Sequence, residues 1–379
     1  MSRLPAIGIT CYPSAGGSGV IATELGLNLA RSGYSVHFIT NQLPLRLRRY
    51  RRNILYHPVE VANYPVFQSP PYTLSLATAM SEVARQHGLD VLHVHYAIPH
   101  AASAFLAREM VGERRLKMIT TLHGTDITLV GQEPAFFPIT RFLIERSDAV
   151  TAVSEFLRRE THDVFGIDRD IDVIPNFVDT RRFRPLTDQR QRGLLAEPQE
   201  AILMHASNFR PVKNLLAVIE VFARLAKELP CRLVLVGEGP ELPRVRGQVD
   251  DAGLTDRVVF LGQVEDLEAI LPCADVFLLP SRHESFGLVA LEAMSCGVPV
   301  IATRRGGTGE FIEDGINGAL RDPDDIEGMA EVALAWLRDP TGRRQIGEEA
   351  RRDAVERFGA RCVLKRYVDL YDRVCGTGG

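Results

Sequence analysis

At 379 residues the chain is long enough for two domains of ordinary size, and 45% hydrophobic with 24% charged residues is the make-up of a globular protein with a large core. A net charge of −4 argues against non-specific nucleic-acid binding, which needs a basic surface. No apolar run is long enough to span a bilayer, no signal-peptide pattern precedes the first strand, and the six scattered cysteines form no C-x-x-C pair; the expectation is a cytoplasmic protein, off the membrane, with neither a zinc site nor a disulfide frame.

Taken in chain order, strands are expected at 7–10, 36–40, 91–94, 118–122, 149–153 and 171–174, then at 202–206, 232–237, 258–261, 276–279 and 298–302. Helical patterns such as 23–31, 74–87, 215–227 and 288–295 separate them. Val-, Ile- and Leu-rich strands alternating with helices mean parallel sheets covered on both faces, an α/β architecture. Pro175 to Asp179 breaks the pattern, and 181–200 carries little apolar periodicity, which sets domains at 1–175 and 176–357. After Gly318 the chain reads as helical. Two doubly wound domains bind ligands at the carboxyl ends of their strands, so a cleft between them is the expected active site.

The first strand runs into Gly16-Gly17-Ser18-Gly19, and Gly17, Gly19 and Ala22 satisfy the G-x-G-x-x-G/A dinucleotide fingerprint. That fingerprint also wants a carboxylate after the second strand, where this chain has Thr40-Asn41, which weakens a dehydrogenase reading. Two readings of the loop stay open: a tight strand-to-helix turn, or backbone amides at a helix N-terminus approaching an anion.

A second constellation follows the strand at 276–279. Glu284 stands at its carboxyl end, Ser285, Phe286, Gly287, Leu288 and Val289 open a helix, and Glu292 lies further down it. Eight helical steps would span about 12 Å, the reach from hexose to ribose across a diphosphate. One carboxylate then accepts sugar hydroxyls, the other ribose hydroxyls, with helix amides facing the phosphates. After the strand at 202–206, Ser207-Asn208-Phe209-Arg210 and Lys213 offer a guanidinium and an ammonium to a departing diphosphate.

On these residues, together with Gly237-Glu238-Gly239-Pro240 and Glu292 to Pro299, the chain resembles the retaining glycosyltransferases of family 4. The resemblance implies the GT-B fold, two Rossmann-like doubly wound domains facing across a cleft, the first binding acceptor and the second nucleotide sugar. It also implies that a last helix at 358–375 returns to the first domain. Ile9 to Gly19, Tyr64 to Tyr72, His93 to Ala101 and Thr121 to Thr128 are similar to the branch of that family that glycosylates L-malate in the first step of bacillithiol synthesis. That implies UDP-N-acetylglucosamine as donor, L-malate as acceptor, an α-linked product with retained configuration, and no metal or further cofactor. The carried-over roles put Glu284 on the hexose, Glu292 on the ribose, and Arg210 and Lys213 with 286–289 on the diphosphate. Gly17, Ser18, Gly19, Ser207, Asn208 and Gly237 also contact donor, and His123 stands beside the transferred sugar. Asn208 occupies a position where the family often has a basic residue, and Gly309 one where many relatives have proline.

For the acceptor, Ser18, Tyr96, Thr121 and Arg141 are the candidates, with Arg141 as carboxylate partner. No carboxylate demands a covalent intermediate; Asp126 is the nearest, and a loop role suits it equally. The basic run Arg46, Arg48, Arg49, Arg51 and Arg52 reads as a solvated loop, an attractor of anionic acceptor, or a membrane dock. His93 and His95 share a strand face with His100 nearby, but no third ligand at metal spacing is evident; Asp168, Asp170 and Asp172 read as a polar loop. A lipid or sugar acceptor, a sugar-nucleotide epimerase and a non-catalytic binder are the alternatives, and a homo-oligomer stays open.

Overall fold

The computed structural model describes residues 3–13, 16–47, 50–61, 69–112, 116–186, 188 and 190–376. Two compact units divide the chain, one of residues 1–176 with 361–379, the other of 177–360.

The first unit holds strands β1 (Ile7–Thr10), β2 (Val36–Thr40), β3 (Ile54–Pro58), β4 (Val91–His95), β5 (Lys117–Leu122), β6 (Ala149–Ala152) and β7 (Asp172–Val173). They form one parallel sheet in the order β3-β2-β1-β4-β5-β6-β7. Its helices are α1 (Gly17–Arg31), α2 (Tyr72–His87), α3 (Ala102–Val111), α4 (Thr125–Thr128), α5 (Phe137–Arg146) and α6 (Glu155–Phe165). The second unit holds β8 (Ala201–Ala206), β9 (Cys231–Val236), β10 (Val258–Gly262), β11 (Val276–Leu279), β12 (Val300–Thr303) and β13 (Ala319–Arg321), parallel in the order β10-β9-β8-β11-β12-β13. Helices α7 (Leu215–Leu225), α8 (Leu242–Asp251), α9 (Leu267–Ile270), α10 (Leu288–Ser295), α11 (Ile326–Arg338) and α12 (Pro340–Phe358) accompany it. Helix α13 (Ala360–Cys375) belongs to the first unit from Arg361 on.

The α/β reading therefore holds. Strands β1, β2, β4, β11 and β12 are buried at every position, as strands covered on both faces must be. Helix α7 lays Leu215, Val218, Ile219 and Phe222 against Leu203, Leu233 and Leu235, each fully buried side chain contributing about 1.5–3 kcal/mol. Two strands escaped the sequence reading. β3 is a half-buried edge strand ending in proline, and β13 follows Gly318 with only three residues where helix alone was expected.

In each unit the strand order reverses once, at β1 between β2 and β4, and at β8 between β9 and β11. Loops leaving the carboxyl ends of strands on either side of such a reversal diverge and leave a crevice.

Candidate active site

In the second unit the crevice is bounded by the loops after β8 and β11. The first passes through Ser207 to Arg210 into a single 3-10 turn, Pro211–Lys213. The two loops are tied by the Arg282 amide donating to the Val212 carbonyl (2.8 Å) and by Asn214, whose Nδ2 donates to the carbonyls of Pro280 (3.1 Å) and Pro323 (2.9 Å). Lys213 Nζ thereby reaches Glu284 Oε1 at 2.7 Å, and Ser281 Oγ donates to the same oxygen at 2.7 Å. Glu284 is only 7% exposed, so its charge depends on these donors. The backbone is fixed as well: Gly307 N donates to Glu284 O (2.8 Å), and a Cβ on Gly306, at φ 109°, would stand 2.0 Å from that oxygen. Only glycine permits this approach.

Helix α10 begins at Leu288, with Gly287 (φ 93°) as its cap. The run from Glu284 to Glu292 is thus half loop, and the 12 Å of an unbroken helix does not stand. The Phe286 ring is buried against Phe311 and Phe358, with centroids 5.0 and 6.1 Å away, which leaves its backbone as the part that can face a ligand. Leu288 and Val289, half-buried, supply first-turn amides that a helix leaves without internal acceptors. Glu292 is buried in the helix.

His205 was not foreseen. Its Nδ1 meets the Leu278 carbonyl at 2.8 Å and its Nε2 meets Ser207 Oγ at 2.8 Å. Burial pushes this imidazole down to about 4. A carbonyl only accepts, so Nδ1 carries the proton of the neutral ring and Ser207 donates its hydroxyl to Nε2. Ser207 keeps only acceptor capacity for a ligand. Asn208 and Arg210 are exposed, and Arg210 enters no ion pair among the described residues. The Gly237 amide already donates to the Gly262 carbonyl (2.7 Å), and a Cβ there would lie 1.8 Å from Ser207 O, so this glycine lets the loops after β8 and β9 pack closely.

In the first unit the loops after β1, β4 and β5 gather around aromatic rings. Gly17, Ser18 and Gly19 open α1; Tyr96, at a strained φ of 88°, hydrogen-bonds Ser18 and Thr125 through its hydroxyl. Tyr12 stacks edge-on against Tyr96 at 5.4 Å. His123 lies 5.3 Å from the Tyr96 ring, and its Nε2 shares a 2.8 Å hydrogen bond with His95 Nδ1. His93 in turn sits between Tyr371 of α13 and Thr121, 2.7 Å on each side. Burial, then the neighbouring histidines, depress His123 to about 3, and burial alone takes His93 to about 3. These rings are neutral near pH 7. His95 Nε2 has no hydrogen-bond partner among the described residues.

Asp126 has a clear task here. Its carboxylate accepts from the amides of Ala97 (3.1 Å), His123 (3.2 Å) and Gly124 (2.9 Å), stapling the loops after β4 and β5; burial raises it despite those donors. Thr121 and Arg141, the other two acceptor candidates, already have partners within the protein. Thr121 is fully buried, its hydroxyl held by His93 and by Thr151 (2.7 Å). Arg141 pairs with Glu145 (3.1 Å) and reaches the Gly166 carbonyl (3.4 Å) at the end of α6. Arg46 is bound to Glu24 at 2.7 Å, Arg51 and Arg52 are exposed, and Arg48, Arg49 and 64–68 lie outside the described residues. Asp172 belongs to β7 and pairs with Arg373.

Residues 15–182 match the family described as Glycosyltransferase Family 4, and 187–353 match Glycosyl transferases group 1. Over 367 residues, 96% of both chains, the sequence is 47% identical to the N-acetyl-alpha-D-glucosaminyl L-malate synthase of Bacillus anthracis. The chain belongs to the glycosyltransferases of family 4. This glycosyltransferase is also 30% identical, over 78% of its length and 80% of the relative's, to a GDP-mannose-dependent alpha-(1-6)-phosphatidylinositol monomannoside mannosyltransferase of Mycolicibacterium smegmatis. Among solved structures it is similar to a sucrose-phosphate synthase from Thermosynechococcus elongatus (TM-score 0.83, 22% identity, 99% of this chain and 100% of that one). Anabaena HepE in complex with UDP and glucose matches it likewise (TM-score 0.83, 21% identity, 97% and 99% covered). These two likenesses show the GT-B fold. No helix among the described residues of the glycosyltransferase is long and apolar enough to cross a membrane.

Proposed function

We propose that this glycosyltransferase moves N-acetylglucosamine from UDP-N-acetylglucosamine to the hydroxyl of L-malate with retention of configuration. The observation that carries the reading is the 47% identity, over 96% of both chains, to the N-acetyl-alpha-D-glucosaminyl L-malate synthase.

In this reading Lys213 and Arg210 bind the diphosphate, assisted by the Leu288 and Val289 amides and the α10 dipole. Glu284 accepts hydrogen bonds from the hexose through the oxygen that Lys213 and Ser281 leave, and Glu292 accepts from the ribose. Negative charge grows on the phosphate as the bond from C1 to oxygen breaks, so Lys213 stabilises the transition state more than the bound donor. Its resting bond to Glu284 holds the ammonium in place beforehand. The malate hydroxyl oxygen joins C1 on the face the phosphate leaves, its proton passes to the departing phosphate oxygen, and UDP is released. Protein cations and amides answer the charge, so the reading gives the transfer neither a metal nor a further cofactor. Ser18 and Tyr96 receive malate, the Gly17 to Gly19 amides face the donor, and neutral His123 lies beside the sugar. The free thiols suit a reducing compartment, and the reading is cytoplasmic.

The test is UDP release from UDP-N-acetylglucosamine with and without L-malate, the product identified by mass and NMR. Malate-dependent release of an α-glycoside is the expected result. Release that ignores malate, or preference for GDP-mannose, overturns the reading.

A further inference from the structure

The trio that the strand pattern suggests, His93, His95 and His100, is spent on internal packing, but a different one lies together. His37 on β2, His57 on β3 and His87 at the end of α2 each bring a ring nitrogen within 4.8 Å of the others, the only cluster of this kind among the described residues. Register is the cause. Ile39 pairs with His57 across the parallel ladder, so His37 and His57 share one face of the sheet. Gly88, at φ 60°, ends α2 and leaves the His87 ring 4.7 Å from His37 and 5.0 Å from His57. His37 Nδ1 and His57 Nε2 are 3.0 Å apart, and His37 Nε2 meets Ser35 Oγ at 3.1 Å.

We propose that His37, His57 and His87 bind one zinc or similar late first-row divalent ion, with the fourth position open to water or a small anion. A set of imidazoles without carboxylates selects such ions over magnesium or calcium. Tetrahedral zinc places neighbouring nitrogens about 3.3 Å apart, so the His37–His57 pair opens by a few tenths of an ångström as its shared proton leaves, and exposed His87 swings in last. Ser35 accepts the Nε2 proton of His37 and turns its Nδ1 lone pair toward the ion, the orienting contact that metal-bound histidines use.

The open position has somewhere to face. His87 and Ser35 line a cavity of about 450 Å³ with Arg3, Leu4, Ala6 and Gly33. Arg3, held by Asp90 at 3.0 Å, gives an anion there a cationic neighbour. Ala6 and Ser35 precede β1 and β2, so this cavity lies at the amino edge of the sheet, away from the loops around His123. The ion is therefore a staple of edge strand β3 to β2 and α2, outside the sugar-transfer chemistry.

Tag-free protein stripped with chelator and titrated with Co²⁺ or Zn²⁺ tests this. The expected result is one equivalent per chain, the visible absorption of four-coordinate Co²⁺, and a Tm rise of about 5 °C at a hundredfold excess over Kd. His57→Gln and His87→Gln each weaken uptake about a hundredfold or more, and Ser35→Ala about tenfold. His87 is exposed, so His87→Gln keeps its fold and its UDP release, and its loss of metal reports on the ligand alone. Absence of stoichiometric uptake by the parent protein, or uptake undiminished in both glutamine variants, overturns the site.

Discussion

The crevice beyond β8 and β11 holds a buried glutamate paired with a half-buried lysine, whereas the one beyond β1 and β4 is lined by tyrosines, glycines and neutral histidines. The strand order around the two is the same. Topology thus supplies a place to bind, and loop residues decide what is bound. A diphosphate asks for fixed charge, and Lys213 with Glu284 provides it. An acceptor that must present a hydroxyl asks for small surfaces and rings that stay unprotonated, which burial secures for His93 and His123.

The contrast is most sharply tested by acid. Each buried histidine is charged in an unfolded chain below about 6.5 but neutral in the fold down to its depressed value. Below 6.5 the unfolded state binds more protons, so stability is full above that pH and falls as pH drops toward the depressed values. In the first unit those values are about 3 for His93 and His123 and about 4 for His37 and His100, and burial lowers His95 as well; in the second, His205 lies at about 4. Each ring costs up to about 1.4 kcal/mol per pH unit, so the first unit, with several such rings against one, loses more. Hydrogen exchange at pH 5 should therefore rise in 91–123 before 201–206; simultaneous loosening would erase the distinction. Next in size, Lys213→Ala should cut kcat by about 10²–10³ and lower stability by about 3 kcal/mol, because Glu284 stays buried without its partner. Turnover within tenfold of the parent would remove Lys213 from the chemistry. Thr121→Val should cost about 2 kcal/mol in denaturant melts through the stranded His93 nitrogen, yet leave the malate KM unchanged. The smallest effect is expected from Arg141→Ala, within about 0.5 kcal/mol and without change in malate KM, since its partner is an exposed glutamate. A tenfold rise in that KM would place Arg141 in the acceptor set.

Much of this was legible in the residues. Glu284 and Lys213 stand out because each lies in the loop that follows a strongly apolar strand. Their contact is not legible: 71 positions separate them, and only the adjacency of β8 and β11 makes them neighbours. For Phe286 and Gly237 the sequence hides the packing role. A residue inside a ligand-facing motif can be there for the loop's own packing, and sequence does not say which way a ring turns or whether an amide is taken. The edge strands β3 and β13 carry too few buried positions to announce themselves. His37, His57 and His87 have no motif spacing at all, since a sheet register and a helix end bring them together.

The return of the chain to the first unit at Arg361 has a consequence for synthesis. Residues 177–360 are continuous and can fold as soon as they clear the ribosome. The unit that begins to emerge first must wait, because Tyr367 and Tyr371, both fully buried in it, are made after the whole of the second unit. Until they arrive His93 lacks the phenol that closes its ring nitrogen, and of the two units the one started earlier is completed later.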